Sequence, residues 1–213
     1  HGLFPAGTDS AWWPNMTVPH GTWLPPYDWV YCAVRDAKAA LRWIHANAAT
    51  YGGDPATSFT LQGGSAGATT VIELAITGGD DVFAGDYTSE LAGVDPTLDS
   101  TNLDSSAFVT GLIDYWGALF AEDAMVTLDP QHRQRWSSAS PPTIAFHGTN
   151  DTTVSPQSGD VLCGNLTAMG VECLKVDLVG EGHGCWDANV TLDDGTTKSI
   201  YDYAFEWMAA QCS

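Results

Sequence analysis

Residues 58–77 read Ser-Phe-Thr-Leu-Gln-Gly-Gly-Ser-Ala-Gly-Ala-Thr-Thr-Val-Ile-Glu-Leu-Ala-Ile-Thr. A short run with β-formers, 58–62, gives way to Gly63-Gly64-Ser65-Ala66-Gly67, and an apolar helical stretch follows from about Ala66 to Thr77. Strand, glycine-flanked serine and helix in that order predict a sharp strand-to-helix turn with the serine at its apex. So tight a turn asks for little bulk two residues before and two after Ser65, and Gly64 and Ala66 relieve it further. The hydroxyl is lifted off the end of the sheet, and the helix N-terminus favours negative charge beside it. The Ala66 amide N–H is then aimed where an oxyanion would develop.

Outward from this stretch the chain alternates. Before it, Val34, Ala37, Leu41, Ile44 and Ala48 recur at helical spacing, with Arg35, Asp36, Lys38 and Arg42 between them. Tyr51-Gly52-Gly53-Asp54-Pro55 ends that helix. After it, 109–116 and 143–147 read as buried strands, 156–169 as a helix, 171–179 as a fourth strand and 198–211 as a closing helix. Strands alternating with helices predict an α/β fold, a mostly parallel sheet covered on both faces.

Two further residues complete a constellation. Asp151 follows the third strand in His147-Gly148-Thr149-Asn150-Asp151, and His183 follows the fourth in Gly180-Glu181-Gly182-His183-Gly184. Each group then comes from the C-terminal edge of a different strand, in chain order Ser, Asp, His. Asp151 would orient His183, and His183 would take the proton of Ser65. Competing readings are a helix-cap serine for Ser65, a turn former for Asp151 and a loop histidine for His183. Asp177 and Asp187 are rivals for the acid. His147 reads as structural, Glu181 as solvated, and His20, His45 and His132 have no metal-ligand spacing.

Over residues 33–186 the chain resembles secreted and bacterial α/β-hydrolase esterases of the carboxylesterase and feruloyl-esterase-like group. The matching blocks are 39–44 (Ala-Ala-Leu-Arg-Trp-Ile), 51–55, Gly63 to Gly67, Phe146-His147-Gly148 with Asp151, and Gly182-His183-Gly184. The resemblance implies hydrolysis of carboxylic esters through an acyl-enzyme, with no cofactor or metal, on a small-molecule ester. It also implies strands ahead of the first helix and a His-Gly-Gly turn supplying a second oxyanion donor. Only 32 residues stand there, and His1-Gly2-Leu3 is a poor copy. The N-terminal strands are therefore expected to be lacking, and an upstream segment, a sister chain or a subunit to complete the sheet. Two other readings are a non-catalytic binding or structural protein that retains the hydrolase fold, and an amidase or peptidase.

Composition narrows the setting. The 213 residues suit one α/β domain, divided here into an irregular aromatic and proline-rich segment, 1–32, and a catalytic part, 33–213. Net charge is −19, from 26 acidic residues against 7 basic, which leaves no basic face for nucleic acid. No run approaches the roughly 20 apolar residues of a membrane span. Sequons at Asn15, Asn150, Asn165 and Asn189, with five cysteines, favour a secreted glycoprotein. The chain opens on His1 with no signal peptide, as a processed product or fragment would. Cys163 and Cys173 flank a helix-to-strand turn and are placed to pair; Cys185 with Cys212 would pin the histidine loop to the last helix. Cys32 is left over.

Overall fold

A computed structural model describes residues 27–54, 59–76, 102, 104–119 and 136–211. Residues 1–26 with Asn15 and His20, as well as His132 and Cys212, lie outside the described residues.

Helix α1 runs Tyr27–Asn47 and continues as a 3₁₀ turn, Ala48–Tyr51. It starts ahead of the expected boundary at residue 33, so 27–32 belong to the helix and not to an irregular segment. In the sequence this start directly follows Pro25-Pro26, after which no proline interrupts the chain up to Asn47. Gly52 stops the turn at φ 80°, its freedom of φ allowing the left-handed cap.

Four strands follow: β1 Thr60–Gly64, β2 Gly111–Tyr115, β3 Thr143–Gly148 and β4 Cys173–Leu178. They form one sheet in the order β1-β2-β3-β4, every pair parallel. Helix α2, Ala66–Ile76, packs on β1 and β2, and α3, Gln157–Ala168, on β3 and β4.

Strand periodicity sorts the core into two layers. Leu112 and Ala145 pack with Val34 and Leu41 of α1, Ile72 of α2 and Leu162 of α3. Their neighbours Ile113, Tyr115, Ile144 and Phe146 point the other way, against Ile200, Ala204 and Met208 of the last helix, α4, Ile200–Gln211. With both faces covered, every residue of β2 and β3 is buried, hence their mostly apolar reading, with Asp114 and His147 as buried polar exceptions.

The closing helix was expected from residue 198, yet Lys198 and Ser199 belong to a hairpin, β5 Asn189–Thr191 with β6 Thr197–Ser199. Ser199 caps α4 instead: its Oγ accepts the N–H of Asp202 at 3.1 Å.

The disulfide Cys163–Cys173 joins α3 to β4. The Cys185–Cys212 bridge is not formed, because Cys185 is a free thiol. The path of α4 is the reason. Ile200 N–H bonds Ala188 O near the histidine loop, whereas Gln211 reaches Glu172 at the opposite end of the sheet. Twelve helical residues carry the chain about 18 Å away, far beyond the Cα separation a disulfide tolerates.

Candidate active site

Ser65 sits between β1 and α2 with φ 55°, a left-handed conformation that costs an L-residue roughly 1–3 kcal/mol. Two backbone bonds hold it there: Ser65 N–H to Tyr115 O at 2.9 Å, and Thr69 N–H to Ser65 O at 3.0 Å. Gly63 permits the turn, since a Cβ there would lie 2.4 Å from the backbone of Gly67. The expectation for Gly67 is corrected, as a Cβ on it would meet nothing within 4 Å. The turn folds the chain over residue 63 and leaves 67 facing open space. Gly64 is needed for another reason, because a Cβ would press within 2.5 Å of the Trp186 ring. Ala66 opens α2, so its N–H has no carbonyl one turn back to bond.

His183 reaches Ser65 from the loop after β4. Its Nε2 lies 2.9 Å from Ser65 Oγ and its Nδ1 2.8 Å from Asp151 Oδ2. A carboxylate only accepts, so Nδ1 carries the hydrogen and Nε2 is left to accept from the serine hydroxyl. The other oxygen, Oδ1 of Asp151, accepts the N–H of Thr153 at 2.8 Å and of Val154 at 2.9 Å. Burial alone would push this carboxyl's pKa up. Hydrogen bonds from His183, Val154 and Thr153 outweigh that and hold it below the ordinary value.

The acid and base loops are stitched to each other. Thr149 N–H bonds Leu178 O, Asn150 N–H bonds Glu181 O, and Gly180 N–H bonds Thr149 Oγ1. The contact is close enough that a Cβ on Gly148 would stand 2.5 Å from Glu181 O. Neither rival acid touches the histidine: Asp177 pairs with Lys175 at 3.0 Å, and Asp187 is an exposed loop residue. Burial pushes the Cys185 thiol up, and Glu181 and Asp151 add to it, so this cysteine is a poor nucleophile. Of the sequons, Asn150 and Asn189 are exposed, while Asn165 lies half-buried on α3. The described residues hold no group of three or more potential metal ligands, and no helix among them is long and apolar enough to cross a membrane.

Asp114 went unnoticed in the sequence because one acid inside a strand carries no pattern. It is fully buried on β2, with Oδ1 accepting Gly117 N–H at 2.7 Å. Burial raises its pKa from 3.8 to about 7, against the pull of the Gly117 bond. Between those values the folded protein holds a proton that the unfolded chain has released. Stability should therefore fall as pH rises through this window and level off above it. Asp114→Asn keeps an oxygen for Gly117 and should flatten the decline. Melting midpoints of variant and wild type at about pH 5 and about pH 8 check this; a difference that does not grow with pH contradicts it.

A sequence profile of the prolyl oligopeptidase family matches residues 28–211. Among curated proteins, none matches in sequence. Similar solved structures include the butyrate-bound thermophilic esterase Est2 of Thermogutta terrifontis, 22% identical with a TM-score of 0.56, covering 83% of this chain and 63% of its own. A truncated carbohydrate esterase from gut microbiota is 18% identical, TM-score 0.59, with coverages of 84% and 68%. The acetyl ester-xyloside bifunctional hydrolase of Caldicellulosiruptor lactoaceticus is 20% identical, TM-score 0.53, with coverages of 71% and 56%. At such identities the likeness is one of fold, that of α/β-hydrolases. This chain spans 62% of the length of the propionate-bound Est2 structure and 63% of the butyrate-bound one.

Proposed function

The chain belongs to the prolyl oligopeptidase family, and on that premise we propose that it is a serine hydrolase cleaving carboxylic esters. One observation carries the reading, the unbroken chain Ser65 Oγ, His183 Nε2, His183 Nδ1, Asp151 Oδ2. In the mechanism it supports, Ser65 attacks the ester carbonyl as His183 accepts its proton. Ionised Asp151 stabilises the imidazolium, which then protonates the departing alcohol. The Ala66 N–H stabilises the oxyanion, and water deacylates Ser65 by the same route. No step in this scheme calls for a cofactor.

A peptidase or amidase reading is favoured by the family match, an ester reading by the esterases among the similar folds. The triad serves both, but an amine leaves only when protonated, so amides demand more of His183 as an acid. A fluorophosphonate probe should label Ser65, and kcat/KM should be higher for a p-nitrophenyl ester than for the matching anilide. Absence of labelling would instead favour a binding protein that retains the fold; a faster anilide would favour the peptidase.

The proposal extends to partners and location. Among the described residues β1 pairs only with β2, and none of them pairs with its other edge. An open depression of about 240 Å³ lies beside it, lined by Thr60, Gln62, Phe205 and Met208. Unpaired strand edges invite aggregation. An upstream segment, sister chain or subunit is proposed to cover this edge and to bring a second oxyanion donor. Residues 1–213 expressed alone should be aggregated and without esterase turnover; a monodisperse, active monomer would refute this. Secretion and glycosylation are part of the same proposal, supported by the sequons and by a disulfide suited to an oxidising compartment.

A further inference from the structure

Among the described residues the triad leaves one buried histidine unused. His147 is the penultimate residue of β3, its side chain only 1% exposed. Its Nε2 lies 3.1 Å from Val154 O and 3.3 Å from Asp151 Oδ2. A carbonyl and a carboxylate both only accept, so Nε2 carries the hydrogen, donates it to Val154 and turns its positive edge to the acid. The other ring nitrogen, Nδ1, is buried with no hydrogen-bond partner.

Leaving a buried polar group unpaired costs roughly 1–3 kcal/mol, and a leucine or phenylalanine would fill the space without it. An imidazole here is explained by what its Nε2–H does. Val154, whose carbonyl it holds, is also the residue whose N–H donates to Oδ1 of Asp151. A closed circuit results: strand β3 grips Val154 through His147, Val154 and Thr153 grip one carboxylate oxygen, and the His147 edge faces the other.

We propose that His147 is a positioning residue for the acid, clamping the 151–154 loop to β3 so that Oδ2 of Asp151 is presented to His183 at a fixed angle. This rests on the triad reading, and its place is in kcat rather than in substrate binding. A misplacement of about 1 Å in a catalytic constellation is enough to cost on the order of 100-fold.

The test uses the full-length protein with two substitutions. His147→Leu removes the donor, and His147→Gln keeps an N–H at comparable reach. With a p-nitrophenyl ester, the leucine variant should lose about 10–100-fold in kcat with KM within about threefold, and the glutamine variant should recover most of kcat. Amide hydrogen exchange supplies a readout independent of activity. The Thr153 and Val154 amides should exchange faster in the leucine variant and return towards wild type in the glutamine variant. Wild-type kcat in His147→Leu, or a glutamine variant as impaired as the leucine one, overturns the proposal. If Ser65→Ala retains turnover, it is the triad reading that fails. The clamp then stands or falls on the exchange rates, and unchanged rates in His147→Leu refute it.

Discussion

Ser65→Ala should lower kcat for ester hydrolysis by roughly 10³-fold or more while leaving the fold intact. The size of the loss follows from the chemistry. His183 Nε2 has Ser65 Oγ at 2.9 Å, so without the hydroxyl the imidazole has no proton to take and the ester no nucleophile. What remains is whatever the oxyanion donor and substrate binding provide. The fold should survive because the elbow is made by backbone. Both bonds holding residue 65 use its own N–H and C=O, and the space the turn needs is provided by Gly63. Alanine at φ 55° is about as strained as serine, so stability should change by no more than about 0.5 kcal/mol. Steady-state ester turnover with a thermal melt measures both. Activity within about tenfold of wild type would remove Ser65 as the nucleophile.

Asp151→Asn should be comparably severe, about 10⁴-fold in kcat, the loss seen when a triad acid becomes an amide. The local geometry leaves the asparagine no choice of orientation. Thr153 and Val154 each direct an N–H at the position of Oδ1, so the amide oxygen must settle there and the NH₂ must face His183. An NH₂ opposite Nδ1 forces that nitrogen to accept, placing the imidazole hydrogen on Nε2, where it blocks proton uptake from Ser65. Asp177→Asn and Asp187→Asn change residues that the histidine does not contact and should stay within about twofold of wild type. Comparing kcat/KM across the three variants checks the choice of acid. A collapse at Asp177 or Asp187 with Asp151→Asn unaffected would reassign it.

Much of this site was legible in the sequence because each piece has a local backbone cause. Gly63 and Gly64 around Ser65, the turn after His147, and the glycines flanking His183 all mark sharp exits from strands, and the structure brings the three side chains together. What stayed hidden is set by neighbours distant in the chain. Lys38 and Arg42 read as the solvent face of α1, yet they are 2% and 6% exposed, while Ile44 is 42% exposed. Val34, Leu41 and Ala48 of the apolar stripe are buried as its periodicity implies, but the buried face also takes in Lys38 and Arg42 and leaves Ile44 out. Asp114 and His147 are likewise single polar residues in apolar strands, and nothing local separates a buried carboxyl or imidazole from a surface one. The start of α1 is hidden for a simpler reason: the aromatic richness of 27–32 reads as loop, though Pro26 is the last true helix breaker before it.

The two contacts of His183 differ in reach along the chain. Its bond to Asp151 closes over 32 residues, that to Ser65 over 118. Short closures lose less chain entropy, so the contact between acid and base is the cheaper of the two to close. Synthesis proceeds from the other end. A nascent chain exposes its serine while the residues that would activate it are still unmade, and a molecule cut between β2 and β3 parts the serine from them again. The proposed hydrolysis therefore depends on residues made after β3 having folded against the elbow.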